Sequence, residues 1–374
     1  MTTLCIGLMS GTSLDGVDGV LADFTPGGAA PLRVVAHAHR PFPDTLAKAL
    51  LALNTPGDNE LHHAALAANA LVAVYAEVVE ALLARGALAR DAVSAIGAHG
   101  QTVRHRPREF DGIGYTLQIN NPALLAERTG IAVVADFRSR DVAAGGQGAP
   151  LVPAFHRAMF GRAGAAACVL NIGGFGNLTV LGADGSTTGF DCGPGNVLMD
   201  DWCRTHTGQP FDALGAWAAS GRVIDALLAA LRAEPYFAQP APKSTGRDLF
   251  HPVWLDAKLQ SLPVPKPAPR DVQATLCELS AQVCAEAMRA SAPGARELLV
   301  CGGGALNLDL MRRLAKHLPK VRVMTTDERG LPATQVEACA FAWLANEHLA
   351  RRNGNLAAVT GARGGRVLGA YYPV

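Results

Sequence analysis

Residues 5–24 read CIGLMSGTSLDGVDGVLADF, and residues 168–182 read CVLNIGGFGNLTVLG. In each, an apolar run meets a glycine-rich corner and a second run returns from it. That is a strand, a turn and an antiparallel strand. Residues 32–39 fit a third strand, closed by Pro41 and Pro43, and residues 186–191 supply its counterpart in the second copy. After the first hairpin the pattern predicts a short helix over 44–54, a long helix over 59–85 and strands over 95–98 and 131–135. The long helix places Leu71, Val74, Tyr75, Val78, Val79 and Leu82 at helical spacing. The second copy continues with helices from Val197 and from about Val223, then strands at 298–301 and 322–326. The order β-β-β-α-β-α-β therefore occurs twice, and this repeated order carries the case for two like domains.

Composition agrees. A chain of 374 residues exceeds one ordinary core, and 49% hydrophobic against 17% charged residues is enough to fill two. The same balance excludes a disordered or collagen-like chain. With 33 basic and 32 acidic side chains the formal charge is +1, so no global field draws the protein to nucleic acid or an anionic membrane. A small-molecule partner is the expectation. Residues 4–9 follow the N-terminal Met-Thr-Thr directly, without the basic and long apolar regions of a secretory signal. The longest apolar stretch, 64–88, is interrupted by Asn69, Glu77, Glu80 and Arg85, and so predicts no membrane span. The eight cysteines are scattered without CxxC spacing, as small buried hydrophobes in a reduced cytoplasm would be.

No lysine follows a glycine, so a P-loop is absent; GxGxxG, HExxH and GxSxG are absent too. Any nucleotide site must use other glycine turns. In SGTSLDGVD at 10–18, Gly11 and Gly16 allow close backbone approach, while Ser10, Thr12 and Ser13 offer hydroxyls. Such a turn suits phosphate oxygens, with Asp15 or Asp18 orienting a phosphate-bound Mg²⁺ through water. In NIGGFGN at 171–177, Gly173 and Gly174 occupy the equivalent place. In FDCGPGN at 190–196, Asp191 precedes Gly193, Gly195 and Asn196 and then a helical run. A helix dipole there would keep Asp191 ionised as a general base and let phosphate dock on the same N–H groups. CGGGALN at 301–307 offers Gly302, Gly303, Gly304 and Asn307, a flat surface for adenine or ribose. Each segment alone also reads as an ordinary turn.

His99, Gly100, Gln101 and Thr102 follow one predicted strand of the first copy, and Asp136 and Arg138 follow another. Polar groups at strand ends are where α/β folds place ligands, here sugar hydroxyls or a carboxylate. Glu337 opens a helical run and is either a sugar contact or a helix-capping acid. The proline-rich stretch 235–269 reads as an ordered surface loop, or as a lid contributing a basic residue.

Two like α/β domains, each opening with a glycine hairpin, resemble the duplicated actin/hexokinase-like (RNase H-like) architecture, whose hairpins face each other across an inter-domain cleft. The expected division is 1–137 with 355–374 and 138–354. More narrowly, the chain resembles the anhydro-N-acetylmuramic acid kinase family along its whole length. The motifs, in order, are GLMSGTSLDGVD at 7, HGQT at 99, DFRSRDVAAGGQGAPLVP at 136, NIGGFGN at 171 and FDCGPGN at 190. PKSTGRDLF at 242, CGGGALN at 301, EACAFAWLA at 337 and VTGA at 359 complete the series.

The resemblance implies an ATP-dependent enzyme that opens the 1,6-anhydro bridge and phosphorylates O6, in peptidoglycan recycling. It implies MgATP as co-substrate, a sugar substrate and a homodimer. Asp191 matches the family's base; Gly11, Thr12, Ser13, Leu14, Asp15, Gly16, Val17 and Asp18 match its ATP-phosphate segment. Cys192 stands where Thr is commoner, Asn120 where Gly is, and Ala357 where Pro is. Leu8 lies near the place where general hexokinase-like kinases carry an Asp. Two alternatives stay open: a kinase of the same fold acting on another amino sugar such as N-acetylglucosamine, and a nucleotide-switched regulatory ATPase. ADP release with each sugar, or hydrolysis indifferent to sugar, separates them.

Overall fold

The computed structural model describes residues 3–11, 13–25, 31–241, 243–262 and 267–374. Thr12 of the first glycine turn and Pro242 of the PKSTGRDLF motif lie outside the described residues. The chain forms two compact units, Met1–Met159 with Gln335–Val374, and Phe160–Thr334.

In the first unit, β1 (Leu4–Met9) pairs antiparallel with β2 (Gly16–Asp23), which pairs with β3 (Arg33–Pro41). On the other side, β4 (Val93–Ala98) runs parallel to β1. A separate hairpin, β5 (Gln101–Pro107) and β6 (Gly114–Ile119), leads toward β7 (Val133–Ala135), parallel to β4. The second unit repeats the frame with β8 (Ala167–Ile172), β9 (Phe175–Leu181), β10 (Thr187–Pro194), β11 (Glu297–Cys301) and β12 (Arg322–Thr325). Its sheet order is β10-β9-β8-β11-β12, with β8, β11 and β12 parallel. The chain's last strand, β13 (Ala370–Tyr372), returns to the first unit and completes the order β13-β7-β4-β1-β2-β3.

Parallel strands end on one edge of a sheet. Ser10, His99 and Asp136 therefore emerge together in the first unit, and Gly173, Gly302 and Thr326 in the second. Packing fixes those edges. The Glu60–Gly86 helix covers one face of the first sheet, burying Leu71, Tyr75, Val78, Val79 and Leu82. At 27 residues and a mean hydropathy of 1.7 over its most apolar window it is long and apolar enough to span a bilayer, yet that apolar side lies in the unit's core. Across the sheet, the Val336–Leu349 helix packs backbone to backbone on β1 and β4. A Cβ on Gly7 would lie 1.9 Å from Ala338 O, and one on Gly97 would lie 2.1 Å from Phe341 O. In the second unit, Glu278 of the Pro269–Ser291 helix accepts from Arg313 at 2.7 Å and from His317 at 2.6 Å, tying two helices behind the sheet.

Two features differ from the expectation. The unit boundaries fall at 159/160 and 334/335 rather than at 137 and 354, because the Val336–Leu349 helix covers β1 and β4 of the first unit. After His99 and Gly100 the chain enters a further strand, β5, at Gln101, where no strand was expected. Its sequence, QTVRHRP, hides the strand because Arg104 turns inward and is satisfied by Glu60 at 2.6 Å and Leu53 O at 3.2 Å.

Since neither backbone can yield, Gly97→Ala is expected to destabilise the fold by about 1–3 kcal/mol. The measurement is a lowered urea midpoint at unchanged slope.

Candidate active site

In the first unit, the hairpin turn and the corner after β4 are bound together from below. The Tyr75 hydroxyl, buried in the middle of the long helix, accepts from Gly100 N at 3.0 Å and lies 3.3 Å from Ser10 Oγ. Ser10 Oγ donates to Gly100 O at 3.1 Å, and Gln101 Nε2 donates to Gly11 O at 3.1 Å. Gln101 is buried, and its Oε1 has no partner among the described residues. Tyr75 reads in the sequence as an apolar core position; only its depth beneath two polar turns assigns its hydroxyl a task. Burial pushes that phenol up to about 12, so it remains a neutral hydrogen-bonding group.

Within the turn, Gly11 and Leu14 are partly accessible, Ser13 and Asp15 exposed, and Gly16 and Val17 buried. Gly16 is needed for close approach, since a Cβ there would come within 2.3 Å of Arg40 O. Ser13 Oγ donates to Asp15 Oδ1 at 2.8 Å. Asp18 lies on β2 opposite His39, and its Oδ1 is 3.2 Å from both His37 and His39. Among the described residues no three His, Cys, Asp or Glu side chains cluster to hold a metal. A phosphate-borne Mg²⁺ needs only one or two carboxylates beside water and phosphate oxygens. Exposed Asp15 fits that need; Asp18 already serves two histidines.

His99, Arg138 and Glu337 come together. Arg138 donates through Nε and Nη2 to His99 Nε2, at 3.2 and 3.0 Å, and through Nη1 to Gly148 O at 2.9 Å. Burial, then the Arg138 charge, holds the His99 imidazole well below its usual range, so it is a neutral acceptor. Burial also lowers Arg138 to about 10, opposed by nearby Glu337 and Asp141, and it stays charged at neutral pH. Glu337 opens the helix whose Phe341 ring lies 4.6 Å from that of His99. Gly100, at φ 79°, turns the chain into β5, and Thr102 Oγ1 accepts from Gln118 at 3.2 Å. Asp136 is exposed in the left-handed region at φ 56°, an uncommon conformation for Asp that places it beyond the end of β7.

In the second unit the glycine turns divide into two kinds. Gly173, Gly174, Gly302 and Gly303 are accessible, and among the described residues nothing lies within 4 Å of a Cβ built on Gly173. Gly193, Gly195 and Gly304 are buried by close packing. The expectation that phosphate docks on N–H groups of the GPGN turn is corrected. Gly195 N and Asn196 N already donate to Gly174 O and Gly173 O, both at 2.9 Å, and Gly193 lies beneath Phe237. The turn stitches β8 to the following helix instead. Asn307 is likewise committed, its side chain capping the Leu308–His317 helix through Leu310 N at 2.9 Å.

Asp191 sits inside β10, not at its end, and is mostly buried. Its Oδ1 accepts from Asn177 Nδ2 at 2.8 Å and its Oδ2 from Thr245 N at 3.1 Å. Burial raises its carboxyl above the ordinary range, and these two donors offset part of the rise. Desolvation outweighs the two hydrogen bonds that lower the value. A carboxylate with one donor per oxygen has a free lone pair on each, so it can take a proton while held in one plane. Asn177 and Thr245 lay within recognised motifs, but the sequence alone assigned them nothing. The signal was there for Asn177, which stands directly opposite Asp191 in the hairpin register.

Duplicated β-β-β-α-β-α-β units, each opening with a glycine-turn hairpin, are the strand order of actin/hexokinase-like domains. The family model described as anhydro-N-acetylmuramic acid kinase matches residues 3–374. A relative of that name from Variovorax paradoxus (strain S110) is 64% identical over 375 residues, covering 99% of each chain. Another, from Albidiferax ferrireducens, is 60% identical over 393 residues and covers 100% of each. The chain belongs to the anhydro-N-acetylmuramic acid kinase family. It is also similar to the solved activator of the 2-hydroxyisocaproyl-CoA dehydratase from Clostridium difficile with bound ADPNP, at a TM-score of 0.49 and 13% identity, covering 94% of this chain and 96% of that one.

Because the native state holds the Asp191 proton more tightly than the unfolded chain, stability falls as pH rises from the ordinary carboxylate range through the raised value. Asp191→Asn removes that loss. Its melting temperature at neutral pH is expected to equal or exceed that of the parent, with the difference closing as pH is lowered. Calorimetry across a pH series checks both sign and trend.

Proposed function

We propose that the protein uses MgATP and water to convert 1,6-anhydro-N-acetylmuramic acid to N-acetylmuramate 6-phosphate and ADP, in cytoplasmic recycling of peptidoglycan. The identity of the chain with relatives of that name supports the substrate, and the mostly buried, doubly hydrogen-bonded Asp191 is the observation that carries the mechanism. Asp191 takes a proton from a water that attacks the anomeric carbon. The bond from that carbon to the bridging oxygen breaks, and the oxygen, now O6, takes the γ-phosphoryl group. Burial suits this role, since a base with a raised proton affinity accepts the proton more readily.

Gly11, Ser13, Leu14 and Asp15 of the first unit and Gly173, Gly174, Gly302 and Gly303 of the second are assigned to ATP by accessibility and glycine content, and Thr12 and Gly16 by their place in the same motif. His99, Gln101, Arg138 and Glu337 are assigned to the sugar. Charged Arg138 suits its carboxylate, and Gln101 Oε1 is a buried acceptor awaiting a hydroxyl. Mg²⁺, when present on the nucleotide, neutralises phosphate charge, and Asp15 is the residue that would hold it. Positioning and charge stabilisation are what phosphoryl transfer chiefly requires. The homodimer is an assembly proposed from the family alone.

Incubation of the enzyme with the anhydro sugar and MgATP in ¹⁸O-water is expected to yield the 6-phosphate with the label at C1, read by mass spectrometry. Asp191→Asn is expected to lose roughly 10²–10⁴-fold in turnover while still binding ATP. ADP release that ignores the anhydro sugar, or prefers N-acetylglucosamine, would overturn the reading.

A further inference from the structure

β10 is an edge strand of the second unit's sheet, so the outward N–H and C=O of Asp191 meet no neighbouring strand. The stretch 236–245 takes both. Asp191 N donates to Lys243 O at 3.0 Å, and the Tyr236 hydroxyl donates to Asp191 O at 2.7 Å. With those groups facing outward, Asp191 and Asn177 form a non-hydrogen-bonded pair across β9 and β10, the arrangement that brings opposite side chains closest. One carboxylate oxygen is thus fixed from within the sheet by Asn177. The other is fixed from outside it, by the Thr245 amide.

The outer clamp is itself pinned. Lys243 Nζ donates to Tyr236 O and to Phe237 O, both at 3.2 Å, and sits 4.7 Å from the centre of the Tyr236 ring. Phe237 lies on Gly193, where a Cβ would come within 2.7 Å of its ring. Phe250 stacks on Phe237 at 5.6 Å and meets Tyr236 edge-on at 5.8 Å. Lys243, one of the basic residues of the proline-rich stretch, therefore points back into its own segment.

We infer that Tyr236 and Lys243 are positioning residues: they seat the 236–245 segment on the sheet edge and, through the Thr245 amide, set the aim and the charge of Asp191. The inference rests on Asp191 being the base. An N–H donated to a carboxylate favours its ionised form and so opposes burial. Unseating the segment removes one of two such donors and leaves the carboxylate free to rotate about its bond to Asn177.

Tyr236→Phe deletes one oxygen atom, and Lys243→Met keeps chain length without the charge. Assayed with the anhydro sugar and MgATP, both are expected to lower kcat and to move the acid limb of its pH profile up, by roughly one pH unit, a tenfold shift in proton affinity. KM for ATP should hold within about twofold, as expected when ground-state nucleotide binding is untouched. Lys243→Arg, which can still donate to both carbonyls, should recover most of the kcat and return the limb. A merely structural role would scale activity at every pH with the folded fraction and leave the limb in place. An unmoved limb in the folded variants overturns the inference; should Lys243→Met not fold, Tyr236→Phe decides alone. If instead Asp191→Asn retains turnover, it is the assignment of the base that fails.

Discussion

The desolvation of one carboxylate governs the second unit. Asp191 is placed in an edge strand, largely removed from water, where an ionised group is costly unless hydrogen bonds compensate. Two donors do so, from a neighbouring strand and from a segment that crosses the sheet edge. The balance leaves a carboxyl that holds its proton more firmly than a surface aspartate yet keeps a fixed plane. The aromatic cluster of Tyr236, Phe237 and Phe250 matters to chemistry because it holds the outer donor in place.

The first unit meets a different constraint by the same logic of close approach. Its polar strand ends must lie at defined depths, and the Val336–Leu349 helix sets them by resting directly on glycine backbone in β1 and β4. That contact also delivers Glu337 toward Arg138 and Phe341 toward His99. Beneath the opposite face, one buried hydroxyl, that of Tyr75, ties the hairpin turn to the corner after β4. Packing and polar geometry are here the same set of contacts.

Much of this was legible in the sequence. The two glycine hairpins, the long apolar helix and the strand positions follow from periodicity, because each has one buried face of uniform character. β5 was not legible, since Arg104 and His105 break the apolar pattern and only a distant Glu60 makes the burial of Arg104 tolerable. The helix at 336–349 was read as a helix segment but assigned to the other domain, because nothing local says which sheet a nearly all-apolar helix covers. At the site, Asp191 was singled out by its motif, but a sequence shows the helix that follows and not the segment whose Thr245 amide meets the carboxylate. The GPGN turn likewise offers N–H groups on paper that the fold has already spent. Asn177 was recoverable from hairpin register; Tyr236 and Lys243 were not, because their partner is a backbone group far away in the chain.

The central claim is that Asp191 activates water against the anomeric carbon of a bridged sugar. The most direct measurement is a crystal structure with the anhydro sugar and a non-hydrolysable ATP analogue bound together. The account predicts a water within hydrogen-bond reach of the Asp191 carboxylate, about 2.6–3.2 Å, and on the face of the anomeric carbon opposite the bridge. A sugar bound with its anomeric carbon turned away from Asp191, or with another side chain holding that water, would contradict it.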